Sequence, residues 1–138
     1  MAASTTPSIT SVVNVKVEHI RKLGYDNLEQ WCSNPNHVYI GRKGVVFVDK
    51  VRYPKTDSKW ANPFTVKKYG RAMALYHYYE HLYKTGLINQ LGELQGKTLG
   101  CWCVSHPYIP TPGVPAVCHG QILANILAGL AVVIASDT

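Results

Sequence analysis

The 138-residue sequence predicts an α/β fold, a single layered domain with a mostly parallel central sheet flanked by helices. Three observations carry this expectation. Strand-like and helix-like periodicities alternate along the chain, as in a sheet built through crossover helices. Residues 98–104 form a short run that is apolar on both faces, which suits an interior strand. Residues 71–84 and the segment from Cys118 repeat their apolar positions at helical spacing.

Taken in order, residues 1–8 are small and polar and read as a disordered tail, leaving 9–138 as the folded domain. Val12, Val13, Val15 and Val17 are β-branched and mostly alternate, predicting a first strand. Asp26 can cap a short helix running through Trp31, its carboxylate accepting the free donors of the first turn. Residues 37–41 and 45–51 predict a hairpin turning at Arg42-Lys43-Gly44. In 71–84 the stripe Ala72, Leu75, Tyr76, Tyr79, Leu82 and Tyr83 predicts the clearest helix, and Gly86 ends it. Residues 87–94 read as a shorter helix or turn before the 98–104 strand. A stiff loop follows, with prolines at 107, 110, 112 and 115. A last helix is expected from Cys118 through Ile122, Leu123, Ile126, Leu127 and Leu130.

With 46% hydrophobic and 16% charged residues, the composition excludes an intrinsically disordered protein. Residues 122–135 are apolar but broken by Asn125 and shorter than the roughly 20 residues of a membrane span, so they read as a buried helix. The first twenty residues lack the features of a secretory signal. An intracellular protein, cytoplasmic, nuclear or virion-packaged, with no membrane partner is the expectation, and a homo-oligomer is left open. The formal charge of +6 is concentrated. Residues 42–71 hold nine bases against two acids, a local field suited to phosphates or nucleic acid, or to a solvated basic loop.

Ligands of open α/β sheets gather beyond the carboxyl ends of strands, where the following helices start. Cys101, Cys103, Cys118, His119 and Gly120 fall at such positions. A helix start there would offer free backbone donors to an anion, and its dipole would lower the Cys118 pKa. Three readings compete for these residues: ligands of a zinc ion, a catalytic thiol with His119 or His106 as base, or small buried hydrophobes. The C-x-C spacing and the long proline loop are poor for zinc, and adjacent Cys and His rarely reach one ion, so no metal and no other cofactor is expected. His77 and His81 could chelate a metal but lack a third ligand, and a solvated face is preferred. Tyr76, Tyr78, Tyr79 and Tyr83 read as core and rim rather than base-stacking groups.

Three segments in order, 38–42 (VYIGR), 58–64 (SKWANPF) and 99–103 (LGCWC) followed by Cys118-His119-Gly120, resemble the DUF4326 domain family. The resemblance spans about residues 38–123 and implies membership of a family spread among phages, bacteria and large DNA viruses. It implies motif positions at Arg42, Asn62, Pro63, Arg71, Cys103, Cys118, His119 and Gly120. The chain departs from the family pattern in a basic insertion at 43–57 and a longer loop between Cys103 and Cys118.

The leading expectation is a phosphate-directed site for a nucleotide or nucleic-acid end. Arg42 and Arg71 would grip phosphate oxygens, Asn62 would orient a base or ribose, and Gly120 would let the ligand approach the backbone. Any reaction would use Cys103 or Cys118 as nucleophile with His119 as base, and the residues leave open whether one occurs. Two alternatives stand beside it. One is a non-catalytic nucleic-acid-binding or virion-packaged protein using Lys43, Lys50, Arg52, Lys55, Lys59, Lys67 and Lys68. The other is a small zinc-stabilised interaction module.

Overall fold

The computed structural model describes residues 9–137, so the tail expected at 1–8 lies outside the described residues. The centre is a three-stranded parallel sheet. Strand β5 (Thr98–Cys101) lies between β1 (Ser11–Asn14) and β2 (His37–Tyr39), with Leu99 opposite both Val12 and Val38. The interior position expected of this segment is observed, although the strand stops at Cys101 rather than continuing to residue 104.

Alternation along β5 divides two cores. Leu99 and Cys101 face the larger one, with Val12, Tyr78, Leu82, Ile122 and Leu123. On the other face Trp31, Val15, Ile20 and Leu28 pack together. Gly100 lies under this second group. A methyl there would come within 2.6 Å of both Trp31 Cη2 and Val15 Cγ1, so the indole can lie on the strand only because the side chain is missing.

Several expected boundaries are corrected. The first strand ends at Asn14, whose Oδ1 accepts from the Lys16 amide at 2.8 Å and turns the chain, so Val17 opens helix α1 (Val17–Arg21). Helix α2 (Leu28–Ser33) is capped by Asn27 and not by Asp26; Asn27 Oδ1 accepts from the Gln30 amide at 2.9 Å. The hairpin also lies elsewhere. It joins β3 (Val46–Val48) to β4 (Val51–Tyr53), leaving β2 free to pair with β5. Its turn is Asp49-Lys50, with φ of 50° and 67°, the left-handed pair that matches the twist of a two-residue hairpin. The basic insertion is therefore largely this hairpin.

Short helix α3 (Val66–Tyr69), capped by Thr65, leads into α4 (Arg71–Lys84). The buried stripe of α4 is Ala74, Leu75, Tyr78 and Leu82, whereas Tyr76 and Tyr83, expected inside, are about half exposed. Residues 87–94 form a 3₁₀ helix. Helix α5 (His119–Leu127) packs on the sheet with its first seven residues buried. It is shorter than the apolar run predicted. The Leu130 amide bonds back to the Asn125 carbonyl, and Ala116 and Ile134 then form a parallel bridge. Among the described residues no helix is long and apolar enough to cross a membrane.

Candidate ligand site at the start of α5

The end of β5, the loop after it and the start of α5 meet as expected for a parallel sheet, and three side-chain groups converge there. The first is sulfur. Although β5 ends at Cys101, the Sγ atoms of Cys101, Cys103 and Cys118 lie within 4.8 Å of one another. Cys118 is the N-cap of α5, and its thiol donates to Cys101 Sγ at 2.9 Å. The loop carrying Cys103 is held by Asn14, whose Nδ2 donates to the Val104 carbonyl at 2.9 Å. Cys101 and Cys118 are buried and Cys103 is exposed.

The three thiols are perturbed in opposite directions. Hydrogen bonds from Cys101 and then Cys118, reinforced by the nearby His119 ring, hold the Cys103 thiol well below its ordinary range, against the partial desolvation of its sulfur. Cys101, a donor toward Cys103, is pushed up to about 12. Cys118, expected to be acidified by the helix dipole, is raised instead by its hydrogen bonding with Cys101 and then Cys103 and by burial. Cys103 is thus the most acidic thiol of the set, and Cys118 is a buried donor.

His119, the first residue of α5, is buried, with its Nε2–H donating to the Ile40 carbonyl at 2.7 Å. That bond fixes Nε2 as the donor and sets Nδ1 4.0 Å from Cys118 Sγ. The Tyr78 ring meets the imidazole edge-on at 5.1 Å. His106, the other base considered, is exposed on the proline loop and does not line the site.

The second group is basic. Arg42, Lys67 and Arg71 line a cavity of about 530 Å³ with Cys103, Cys118 and His119, and among the described residues no carboxylate lines it. Arg42 is aimed by its own loop, donating from Nε and Nη2 to the Asn62 carbonyl at 3.2 and 2.7 Å. Arg71 Nη2 donates to the Ser136 carbonyl at 2.7 Å, while its Nε is buried without a hydrogen-bond partner. Among the described residues neither arginine is ion-paired.

Asn62 and Gly120 also make contacts within the protein. The Asn62 amide serves its own loop, Oδ1 accepting from the Phe64 amide at 2.9 Å and Nδ2 donating to the Ala74 carbonyl at 3.2 Å. Its main-chain carbonyl positions Arg42, and Asn62 also lines the cavity. Gly120 points at the sheet, where a Cβ would lie 2.9 Å from Ile40 Cδ1 and Val12 Cγ1. Its small size lets α5 approach the strands.

The third group is aromatic, and sequence reasoning missed it. Trp102 lies just beyond the strand end, packs against the Trp31 cluster and lines the cavity with Phe64. Its Nε1 donates to the Tyr39 hydroxyl at 2.9 Å, which donates to the Arg42 carbonyl at 2.8 Å. The aromatic-rich VYIGR and LGCWC segments were the available signal.

The remaining bases are dispersed. Lys50 sits at the hairpin tip and Arg52 lies over the Phe47 ring at 4.8 Å. Lys43 and Lys55 are exposed beside the hairpin, Lys68 covers the Tyr69 ring at 5.2 Å, and Lys59 is paired with Glu93 at 2.7 Å.

Fold and site together define a small α/β domain that carries a basic, aromatic-walled cavity over a cysteine floor. The sequence matches the profile of DUF4326, a domain of unknown function, over residues 19–129, and the chain belongs to that family. Over 90 residues it is 40% identical to an uncharacterised protein of Acanthamoeba polyphaga mimivirus, a match covering 64% of this chain and 65% of that relative. No solved structure matches the chain significantly.

Proposed function

We propose that the chain binds a small phosphate-bearing ligand, a nucleotide or a nucleic-acid end, in the cavity at the start of α5. The supporting observation is the pairing of two arginines free of carboxylate partners with a cavity that has no acidic lining among the described residues. Guanidinium groups hold phosphate oxygens by charge-assisted, bidentate bonds, and two that are not neutralised internally retain that capacity. The volume lies within the roughly 300–1,000 Å³ of small-ligand sites. Trp102 and Phe64 supply flat apolar walls on which a base could lie.

Isothermal titration with mononucleotides and with inorganic phosphate tests this reading. Arg42→Ala is expected to weaken binding by about 1.5–3 kcal/mol, the range for hydrogen bonds to charged groups. Lys55→Ala should leave it unchanged. Absence of affinity for every mononucleotide and for phosphate would sink the proposal.

A second reading rests on the β3–β4 hairpin. Phe47 and Val51 are more than half exposed there beside Lys50 and Arg52, an aromatic and basic surface suited to nucleic acid. Neutralising several phosphates at once releases counterions, so this reading requires steep salt dependence where the cavity reading does not.

A further inference from the structure

We propose that Cys101, Cys103 and Cys118, completed by Nδ1 of His119, form a tetrahedral site for a thiophilic divalent cation of the zinc type. The spacing of these residues along the chain spoke against a metal, but the ligands come from three elements that the fold brings together. Cys101 ends the central strand, Cys103 lies on the loop tied to Asn14, and Cys118 and His119 open α5.

Zinc–sulfur bonds of about 2.3 Å arranged tetrahedrally separate the sulfurs by roughly 3.8 Å. The three Sγ atoms all lie within 4.8 Å of one another, and the Cys101–Cys118 pair, at 2.9 Å, needs to open by only about 0.9 Å to reach that separation. The histidine is prepared in the manner of a ligand. A metal-bound imidazole typically donates its other N–H to a backbone carbonyl or carboxylate, which fixes the ring and its tautomer. His119 makes this bond to Ile40, and its Nδ1 lies 4.0 Å from Cys118 Sγ, near the roughly 3.5 Å expected between nitrogen and sulfur donors of one tetrahedral zinc. Neighbouring Cys and His can share an ion here because Cys118 is the extended N-cap and only His119 is helical, which lets both side chains turn toward Cys103. On binding, the thiols give up their protons and the soft, fully protein-held donor set favours zinc over harder cations. The inference is independent of anion binding in the cavity above.

The test uses the full chain purified in reductant without chelator. Elemental analysis should find one zinc per chain. Cobalt(II) added to the metal-stripped, reduced protein should produce a thiolate-to-cobalt charge-transfer band with the visible absorption of tetrahedral cobalt, and zinc should abolish both. Cys103→Ser, at an exposed position, should reduce the charge-transfer intensity by about a third, from three thiolates to two. His119→Gln should keep the charge-transfer band but weaken cobalt affinity and shift the visible bands. Cys32→Ser, outside the cluster, should change nothing. No charge-transfer band in the reduced wild-type chain, a band insensitive to Cys103→Ser, visible bands insensitive to His119→Gln, or a Cys101–Cys118 disulfide that survives reductant would each overturn the proposal. Mononucleotide titration of the same samples reports separately on the cavity.

Discussion

At the scale of single residues, hydrogen-bonding capacity decides more than residue type. Tyr78 shows it best: its ring is in the core, and its hydroxyl donates to the Trp60 carbonyl at 2.7 Å. Burial raises its pKa far above the ordinary phenol value, so the donor persists at any physiological pH. Tyr78→Phe removes the donor and leaves a carbonyl of the Trp60 loop unpaired, at an expected loss of about 1–3 kcal/mol in urea unfolding. An unchanged midpoint would mean that water replaces the hydroxyl. Gly120 carries the opposite lesson. The sequence placed it at the right helix start, but its reason is packing against Ile40 and Val12, a contact invisible without the fold. Gly120→Ala should therefore destabilise the fold by about 1–3 kcal/mol through overpacking, measured by thermal or urea denaturation, even where no ligand is present.

Among the elements, the long helix was legible because it is periodic over 14 residues, and the central strand because it is apolar on both faces. The hairpin was misplaced for a local reason. Gly44 offered an obvious positive-φ residue, while the actual turn places two non-glycine residues, Asp49 and Lys50, in the left-handed region. Such residues carry a penalty of about 1 kcal/mol relative to glycine in that conformation. Lys50→Gly should consequently raise stability by up to about 1 kcal/mol. The same substitution removes a base at the hairpin tip, so a duplex-binding surface there would lose affinity and about one unit of salt slope. Stability from denaturation and salt-dependent duplex binding, measured on one variant, thus separate turn strain from surface function. Gly100→Ala, beneath Trp31, should disrupt the second core far more severely than any hairpin change, because two packed side chains must move.

For the whole molecule, the α/β class and the strand at its centre followed from alternating periodicities, since layer architecture depends on pattern and not on detail. The cavity was legible in part: Arg42, Arg71, Cys103, Cys118 and His119 were singled out, and all line it. What could not be read was orientation. Which groups Asn62 bonds within its loop, and whether Cys118 is acidic or buried, depends on neighbours brought in by the fold. Sheet order has a further bearing on how the chain is made. Strands β1 and β2 do not pair with each other; each pairs with β5, so Ser11 and His37 both wait for Thr98. During synthesis the first two strands leave the ribosome with a vacant slot between them, and long-range pairing of this kind is slow and exposes apolar edges meanwhile. Nascent chains ending before Thr98 should be protease-sensitive throughout, while chains long enough to release α5 should become resistant in one step. Stepwise gain of resistance before β5 emerges would show that the Trp31 cluster can fold without the strand it covers.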